Sequence, residues 1–251
     1  MAFYHEDLAH IHASGFTSLA EAAGRAIPGW LRAAGIEGGL VVDLGCGNGL
    51  TSRALAGAGY EVLGIDSSEA MLRIARRSAP GVRFLRASFL DVSLPGCRAV
   101  VAAGEVLNYT ERSLMPVFRR VRAAIEPGGL FVLDLAGPGR VPGGGPVRSW
   151  WEDDDWAVLV ETREDRERAL LTRRMTTFRR TGRTWRRGEE THRQRLHRPS
   201  EAAGRLRALG FTVRIRRGYE GERLAPGHYV LIAQGVRPHP RGGMGSDPLR
   251  R

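Results

Sequence analysis

Asp43, Gly45, Gly47, Gly49 and Asp66 are the residues whose types and spacing could do chemistry. Glycine lets a backbone turn sharply and lets a ligand approach where a Cβ would clash. Asp66 closes the apolar run that follows, Tyr60 to Asp66. A carboxylate there can accept two hydrogen bonds from the cis hydroxyls of a ribose. Each such bond is charge-assisted and contributes about 1.5–3 kcal/mol. Cys46, set between two glycines, offers only its backbone.

The elements that must hold these groups are legible nearby. Leu40 to Leu44 is a short apolar run with adjacent β-branched Val41 and Val42. That suits a strand buried on both faces, as in a parallel sheet. Residues 50–57 read as a helix, and Tyr60 to Asp66 as the next strand. Strand, glycine turn and helix start together make a nucleotide crevice at the carboxyl end of a strand. The dinucleotide fingerprint is G-x-G-x-x-G. Here the third glycine comes one residue early, and Asp43 stands two residues before the first.

This run, Leu40-Val-Val-Asp-Leu-Gly-Cys-Gly-Asn-Gly49, resembles the class I S-adenosylmethionine (SAM)-dependent methyltransferases. They carry (V/L)-(V/L)-D-x-G-x-G-x-G and an acidic residue ending the second strand. The resemblance covers about residues 40–135, with a weaker match at 199–235. It implies an α/β fold, a Rossmann-like three-layer sandwich. Its seven-stranded, mostly parallel sheet would end in a reversed C-terminal hairpin, with an antiparallel β insert added. It implies SAM as cofactor and S-adenosyl-L-homocysteine as product. The cofactor-binding residues it implies are Tyr4, Asp43, Gly45, Cys46, Gly47, Asp66, Ser67, Ser88, Phe89 and Gly104. In the family the loop after the third strand holds adenine. Ser88 occupies the place of the polar side chain that takes the exocyclic amine, and Phe89 that of the apolar cover. The family more often has Asp where this chain has Ser88.

Residues 98–103 read as a fourth strand opening into Gly104-Glu-Val-Leu-Asn-Tyr109. The family's loop at this position faces the transferable methyl. Open α/β folds place polar side chains at such strand ends. Glu105 and Tyr109 are therefore the expected catalytic groups there, and His192 is the third candidate. Asn108 either joins them or caps the helix expected over 111–125. The N-terminal stretch carries Tyr4 and His12, followed by a helix over 17–34 that Pro28 interrupts. In related enzymes such helices cover the cofactor. Helices are also expected over 67–79 and 200–209, and strands over 82–86, 212–217 and 229–234. Glu126-Pro-Gly-Gly129 reads as a helix stop and turn before a fifth strand over 130–134.

After that strand the pattern departs from a minimal domain. Residues 137–146, rich in Gly and Pro, read as a flexible linker. Three strand-like stretches follow, 156–163, 168–179 and 183–197. Glu190, His192 and Gln194 alternate in the last of them and share one face. The expected division is 1–136 for the cover helices and SAM-binding core, 137–198 for the antiparallel insert or lid, 199–236 for the rest of the core, and 237–251 for a disordered tail rich in Pro, Gly and Arg.

Composition narrows the function classes. No apolar run approaches the roughly 20 residues a membrane helix needs, and no signal peptide is legible at the start. Two cysteines fit a reducing cytoplasm and no disulfide framework. The histidine spacings match no metal site. All 38 basic residues are arginine, and the formal net charge is +11. Residues 1–150 hold 15 Arg against 13 acids, and residues 151–251 hold 23 against 14. Basic patches can bind phosphate backbones, so an RNA methyltransferase is one rival reading. Asn108-Tyr109 is not followed by the Pro-Pro of base-amine methylases, and nucleic acid is not the expected partner. A SAM-binding protein without catalysis is the other rival. The expected function is methyl transfer to N or O of a small molecule, by a cytoplasmic monomer or homodimer.

Overall fold

The computed structural model describes residues 3–110, 113–143, 145–219 and 222–236. Two helices, α1 (Glu6–Gly15) and α2 (Ser18–Ala33), precede alternating strands and helices. These are β1 (Leu40–Leu44), α3 (Leu50–Gly57), β2 (Glu61–Asp66), α4 (Glu69–Ser78), β3 (Arg83–Arg86), β4 (Cys97–Ala102), α5 (Met115–Ala124) and β5 (Ile125–Ala136). Four strands then come together: β6 (Val147–Asp153), β7 (Trp156–Asp165), β8 (Leu170–Thr181) and β9 (Thr184–Arg195). The chain continues through α6 (Pro199–Ala208), β10 (Phe211–Arg216), the short pair β11 (Gly218–Tyr219) and β12 (Glu222–Arg223), and β13 (His228–Gly235).

Among the described residues, seven strands form the main sheet in the order β10-β13-β5-β4-β1-β2-β3. Strands β1 to β5 pair in parallel, whereas β13 is antiparallel to both β5 and β10. The sheet is apolar on both faces because helices cover both. Phe118 and Val121 of α5 and Leu206 of α6 pack on one face around Phe131 and Leu133. Ile27 and Leu31 of α2, with Leu55 of α3, pack on the other around Val41 and Val132. This is the three-layer sandwich expected, with its reversed hairpin.

Several local readings give way to tertiary context. Helix α2 runs through Pro28 rather than breaking at it. Its buried face extends on both sides of the proline, from Ala22 to Leu31, and that burial offsets a cost of about 3 kcal/mol. Glu126-Pro-Gly-Gly129 is not a turn outside the sheet but the start of β5. Its register against β4 shifts between Cys97 and Ala99. Gly129 is needed there, since a Cβ would sit 2.6 Å from the Arg98 carbonyl oxygen. Helix α5 opens at Met115, later than expected, with a proline in its first turn.

Among the described residues the antiparallel insert has four strands, not three, in the order β6-β7-β8-β9. The extra strand pairs Val147 to Asp153 with β7, and Asp154 and Asp155 form the turn between them. The inward face of the insert packs Trp156, Val158 and Met175 against Leu8 and Ile11 of α1. Residues 137–143 are not a free linker. Gly137 N–H donates to Gly227 O at 2.6 Å, and the N–H groups of Gly139 and Val141 donate to Glu164, each at 2.8 Å. Val141 is buried. Residues 237–251, expected to be a disordered tail, lie outside the described residues. Among the described residues no helix is long and apolar enough to cross a membrane.

Candidate functional site

The turn after β1 uses backbone conformations that only glycine adopts without strain. Gly45, Gly47 and Gly49 have φ of 66°, 54° and 79°. A Cβ on Gly45 would meet Val106 at 2.4 Å, whereas one on Gly47 would project into open space. The N–H groups of Gly45 and Cys46 donate to Ile65 O, at 2.7 and 3.1 Å, and tie the turn to β2. Burial pushes the Cys46 thiol well above its usual range, so it is not a reactive thiol.

The Asp66 carboxylate closes this turn. It accepts from Gly47 N–H at 2.9 Å and from Ser68 N–H at 2.8 Å. Burial raises its pKa, opposed by these backbone donors. A carboxylate offers about four lone-pair positions, so two remain beyond the two backbone bonds. Asp43 is buried at the end of β1 and accepts from the Ser52 hydroxyl at 2.6 Å. Burial pushes its pKa up to about 6.

A cavity of about 630 Å³ opens over the carboxyl ends of β1, β2 and β4. Gly45, Cys46, Gly47, Asp43, Asp66, Ser67, Ser88, Phe89 and Gly104 all line it. Ser88 Oγ already accepts from Leu90 N–H at 3.1 Å, which leaves one lone pair and its own proton. Phe3, Tyr4, His12, Phe16 and Tyr109 give the same cavity an aromatic part of its lining. Burial lowers the His12 pKa to about 4, so the ring is neutral, and its buried Nδ1 has no hydrogen-bond partner among the described residues.

Glu105 lines the cavity but is not a free base. Its backbone is held at φ 57°, and its N–H donates to Asp134 at 2.6 Å. Its carboxylate pairs with Arg140 at 2.8 Å and Arg173 at 3.2 Å, and accepts from Gln194 at 3.1 Å. Burial acts to raise its pKa, but Arg173 and Arg140 hold it below the ordinary value. A carboxylate held ionised by two guanidiniums is a weak proton acceptor. Asp134 is the hub beneath, accepting from Gly104 N–H, the Tyr219 hydroxyl and His228 as well. Asn108 is buried; its amide donates to Ala136 O and Arg195 O and accepts from Ala136 N–H. It joins the two sheets and neither lines the cavity nor caps a helix.

His192, 2% exposed, does not line the cavity. It sits behind Tyr109, whose hydroxyl lies 2.9 Å from its Nδ1. Its Nε2 lies 3.1 Å from Glu190. Glu190 also accepts the N–H groups of Tyr4 and His5, at 3.0 and 2.9 Å. Tyr4 has φ 60°, and its carbonyl accepts from the Ser68 hydroxyl at 2.7 Å. The N-terminal segment is thus fastened both to the turn after β2 and to the insert.

Sequence reasoning missed Arg140, Arg173 and His228. Arg140 lay in a stretch read as a linker, and Arg173 and His228 each stood in a strand with no local motif. Asp134 had a signal, a carboxylate ending the fifth strand as Asp66 ends the second.

Residues 41–129 match the family described as Methyltransferase domain. The chain is 29% identical over 190 residues to YqeM of Bacillus subtilis (strain 168), across 72% of this chain and 77% of that protein. Its fold is similar to that of an S-adenosylmethionine-dependent methyltransferase from Clostridium acetobutylicum. The TM-score is 0.79 and the identity 17%, over 91% of this chain and 97% of the other. It is also similar to the sugar N-methyltransferase KedS8 from Streptoalloteichus. There the TM-score is 0.76 and the identity 17%, over 95% and 96% of the two chains. Residues 41–129, which hold the glycine turn, Asp43 and Asp66 already described, thus match a methyltransferase domain, and the seven-stranded sheet around them has the fold of S-adenosylmethionine-dependent methyltransferases.

Proposed function

We propose that this enzyme transfers a methyl group from SAM to a nitrogen or oxygen of a small molecule bound at the aromatic part of the cavity. The observation that carries this reading is the continuity of that one cavity. It runs from Gly47 and Asp66 to Tyr4, Phe16 and Tyr109. About 630 Å³ falls within the range of small-ligand sites, and the insert and α1 wall it from outside.

The residues present fit the cofactor. Open space beyond Gly47 leaves room for the methionine part, where a side chain would intrude. Asp66 keeps lone pairs for ribose hydroxyls. Ser88 and Phe89 stand where an adenine edge and face would be met, and Tyr4, Asp43, Gly45, Cys46, Ser67 and Gly104 complete that wall. When bound, SAM supplies a methyl already activated on a sulfonium. The work left to the chain is alignment and exclusion of water, worth several kcal/mol. Glu105, in this reading, positions Arg140 and Arg173 at the cavity floor. The segment 137–198 acts as a lid on the core formed by 1–136 and 199–236. The enzyme works in the cytoplasm, in keeping with its two unpaired cysteines. The sugar N-methyltransferase with this fold accords with an amine-bearing or hydroxyl-bearing small acceptor.

Calorimetry with SAM and with NAD tests the cofactor. SAM binding without NAD binding is expected, and the converse would overturn the proposal. Turnover against a panel of small amines and hydroxyl compounds, compared with structured RNA, tests the acceptor class.

A further inference from the structure

The cavity has a hydrogen-bonded path leading out of it. Tyr4 and Tyr109 both line the cavity. Behind them His192 contacts Tyr109 through Nδ1 and Glu190 through Nε2. Glu190 in turn lines a second depression of about 210 Å³, with His5, Asp7 and Arg186. The chain of groups therefore spans from the reaction cavity to a separate depression.

The tautomer follows from donor and acceptor capacity. An ionised carboxylate only accepts, so the contact with Glu190 places the His192 proton on Nε2. Nδ1 is then an acceptor, and the Tyr109 hydroxyl donates to it. Burial pushes the Tyr109 phenol well above its usual range, so Tyr109 is not ionised in advance. It can take a proton only while passing its own to His192. We infer that Tyr109, His192 and Glu190 form a relay that removes a proton from the methyl acceptor. The inference rests on the proposed function and narrows it: the accepting atom carries both a lone pair and a proton, as in a hydroxyl or a neutral amine.

The step balances. A lone pair of the acceptor atom forms the bond to the methyl carbon as the carbon–sulfur bond breaks onto sulfur. The proton on the acceptor atom moves to Tyr109 Oη, and the Tyr109 proton moves to His192 Nδ1. The resulting imidazolium is held beside the Glu190 carboxylate; after the product leaves, its Nδ1 proton returns through Tyr109 to water, which restores the neutral ring with its proton on Nε2. Other groups face His192 as well. Arg173 is its cross-strand neighbour on β8, and Tyr4 and neutral His12 lie on the N-terminal side. Tyr109 touches the acceptor; His192 and Glu190 are positioning and proton-carrying residues behind it. The same carboxylate that orients His192 fastens Tyr4 and His5, so the relay is complete only when the N-terminal segment is docked.

Imidazole nitrogen NMR on the full chain with S-adenosylhomocysteine bound tests the relay without turnover. His192 is expected neutral, with its proton on Nε2, and its Nδ1 signal should move in Tyr109→Phe. A proton on Nδ1 would overturn the relay, because Tyr109 would then have nowhere to pass its own. Kinetics supply the second readout, as S-adenosylhomocysteine formed from a panel of small amines and hydroxyl compounds. Tyr109→Phe and His192→Ala should each lower kcat by roughly 10²- to 10⁴-fold with little change in KM. Added imidazole should restore part of the His192→Ala loss. An unchanged kcat in either variant would also overturn the relay. SAM calorimetry separates the two levels: intact binding in the variants leaves the cofactor site standing, whereas absent binding in the wild type defeats the proposed function itself.

Discussion

The Asp66 carboxylate accepts the backbone N–H of Gly47 at 2.9 Å, across 19 positions of the chain. One side chain at the end of β2 thus shapes the turn that ends β1. The contact joins two jobs, since the residue proposed to hold the ribose also holds the loop beside it.

Asp66→Ala should therefore weaken SAM binding by more than a ribose contact alone. Lost charge-assisted bonds cost about 1.5–3 kcal/mol, or roughly 10- to 100-fold in Kd. Loosening of the turn adds to that. Asp66→Asn retains an acceptor for Gly47 and should fall between Ala and wild type. Calorimetry on the three proteins checks the order, and equal affinities would remove Asp66 from the site.

Gly47→Val should leave no measurable SAM binding in a folded protein. A β-branched residue at φ 54° is strained by about 1–2 kcal/mol, and its side chain would enter the cavity. Thermal unfolding should show a modest loss while calorimetry shows a complete one. Matching losses in both would mean that the glycine serves the fold alone.

Arg173→Met should destabilise the protein by about 3–5 kcal/mol, because it leaves Glu105 buried with a partner missing. Adding Glu105→Gln should recover part of that loss. Urea unfolding of the two single variants and the double variant gives the coupling directly. A double variant no more stable than Arg173→Met would show that the pair does not depend on its charges.

Stability should change with pH in two opposed ways. Burial raises the Asp43 pKa to about 6 from an ordinary 3.8. Its contribution is full below 3.8 and is lost as pH rises through 6. Burial lowers His12 and His197 to about 4 from 6.5. Their contribution is full above 6.5 and is lost as pH falls through 4. Asp43→Asn should gain roughly 1–3 kcal/mol relative to wild type between pH 4 and pH 7. His197→Phe should flatten the fall below pH 6. Urea unfolding across this range checks both slopes, and parallel curves for variant and wild type would refute the assignments.

The sequence by itself determined the parts set by local backbone demands. Leu40–Leu44 is apolar on both faces because helices cover both sides of the sheet, and that pattern needs no partner to be legible. Gly45, Gly47 and Gly49 announce their turn because no other residue adopts those angles cheaply. Asp66 stands at a strand end, where chemistry in open α/β folds gathers. The alternation of Glu190, His192 and Gln194 placed them on one face before any contact was known.

Only the tertiary structure decided what those groups do. Glu105 looked like a base until β8, 68 positions away, brought Arg173 to its carboxylate. His192 reaches Tyr109 across 83 positions, and Glu190 reaches Tyr4 across 186. β6 went unread because its tryptophans and acids gain strand character only by pairing with β7. Periodicity and turn chemistry report the conformation of neighbouring residues. Sheet register, desolvation and the pairing of distant charges arise only when the chain closes on itself, and these decide which carboxylate is silenced and which phenol can pass a proton.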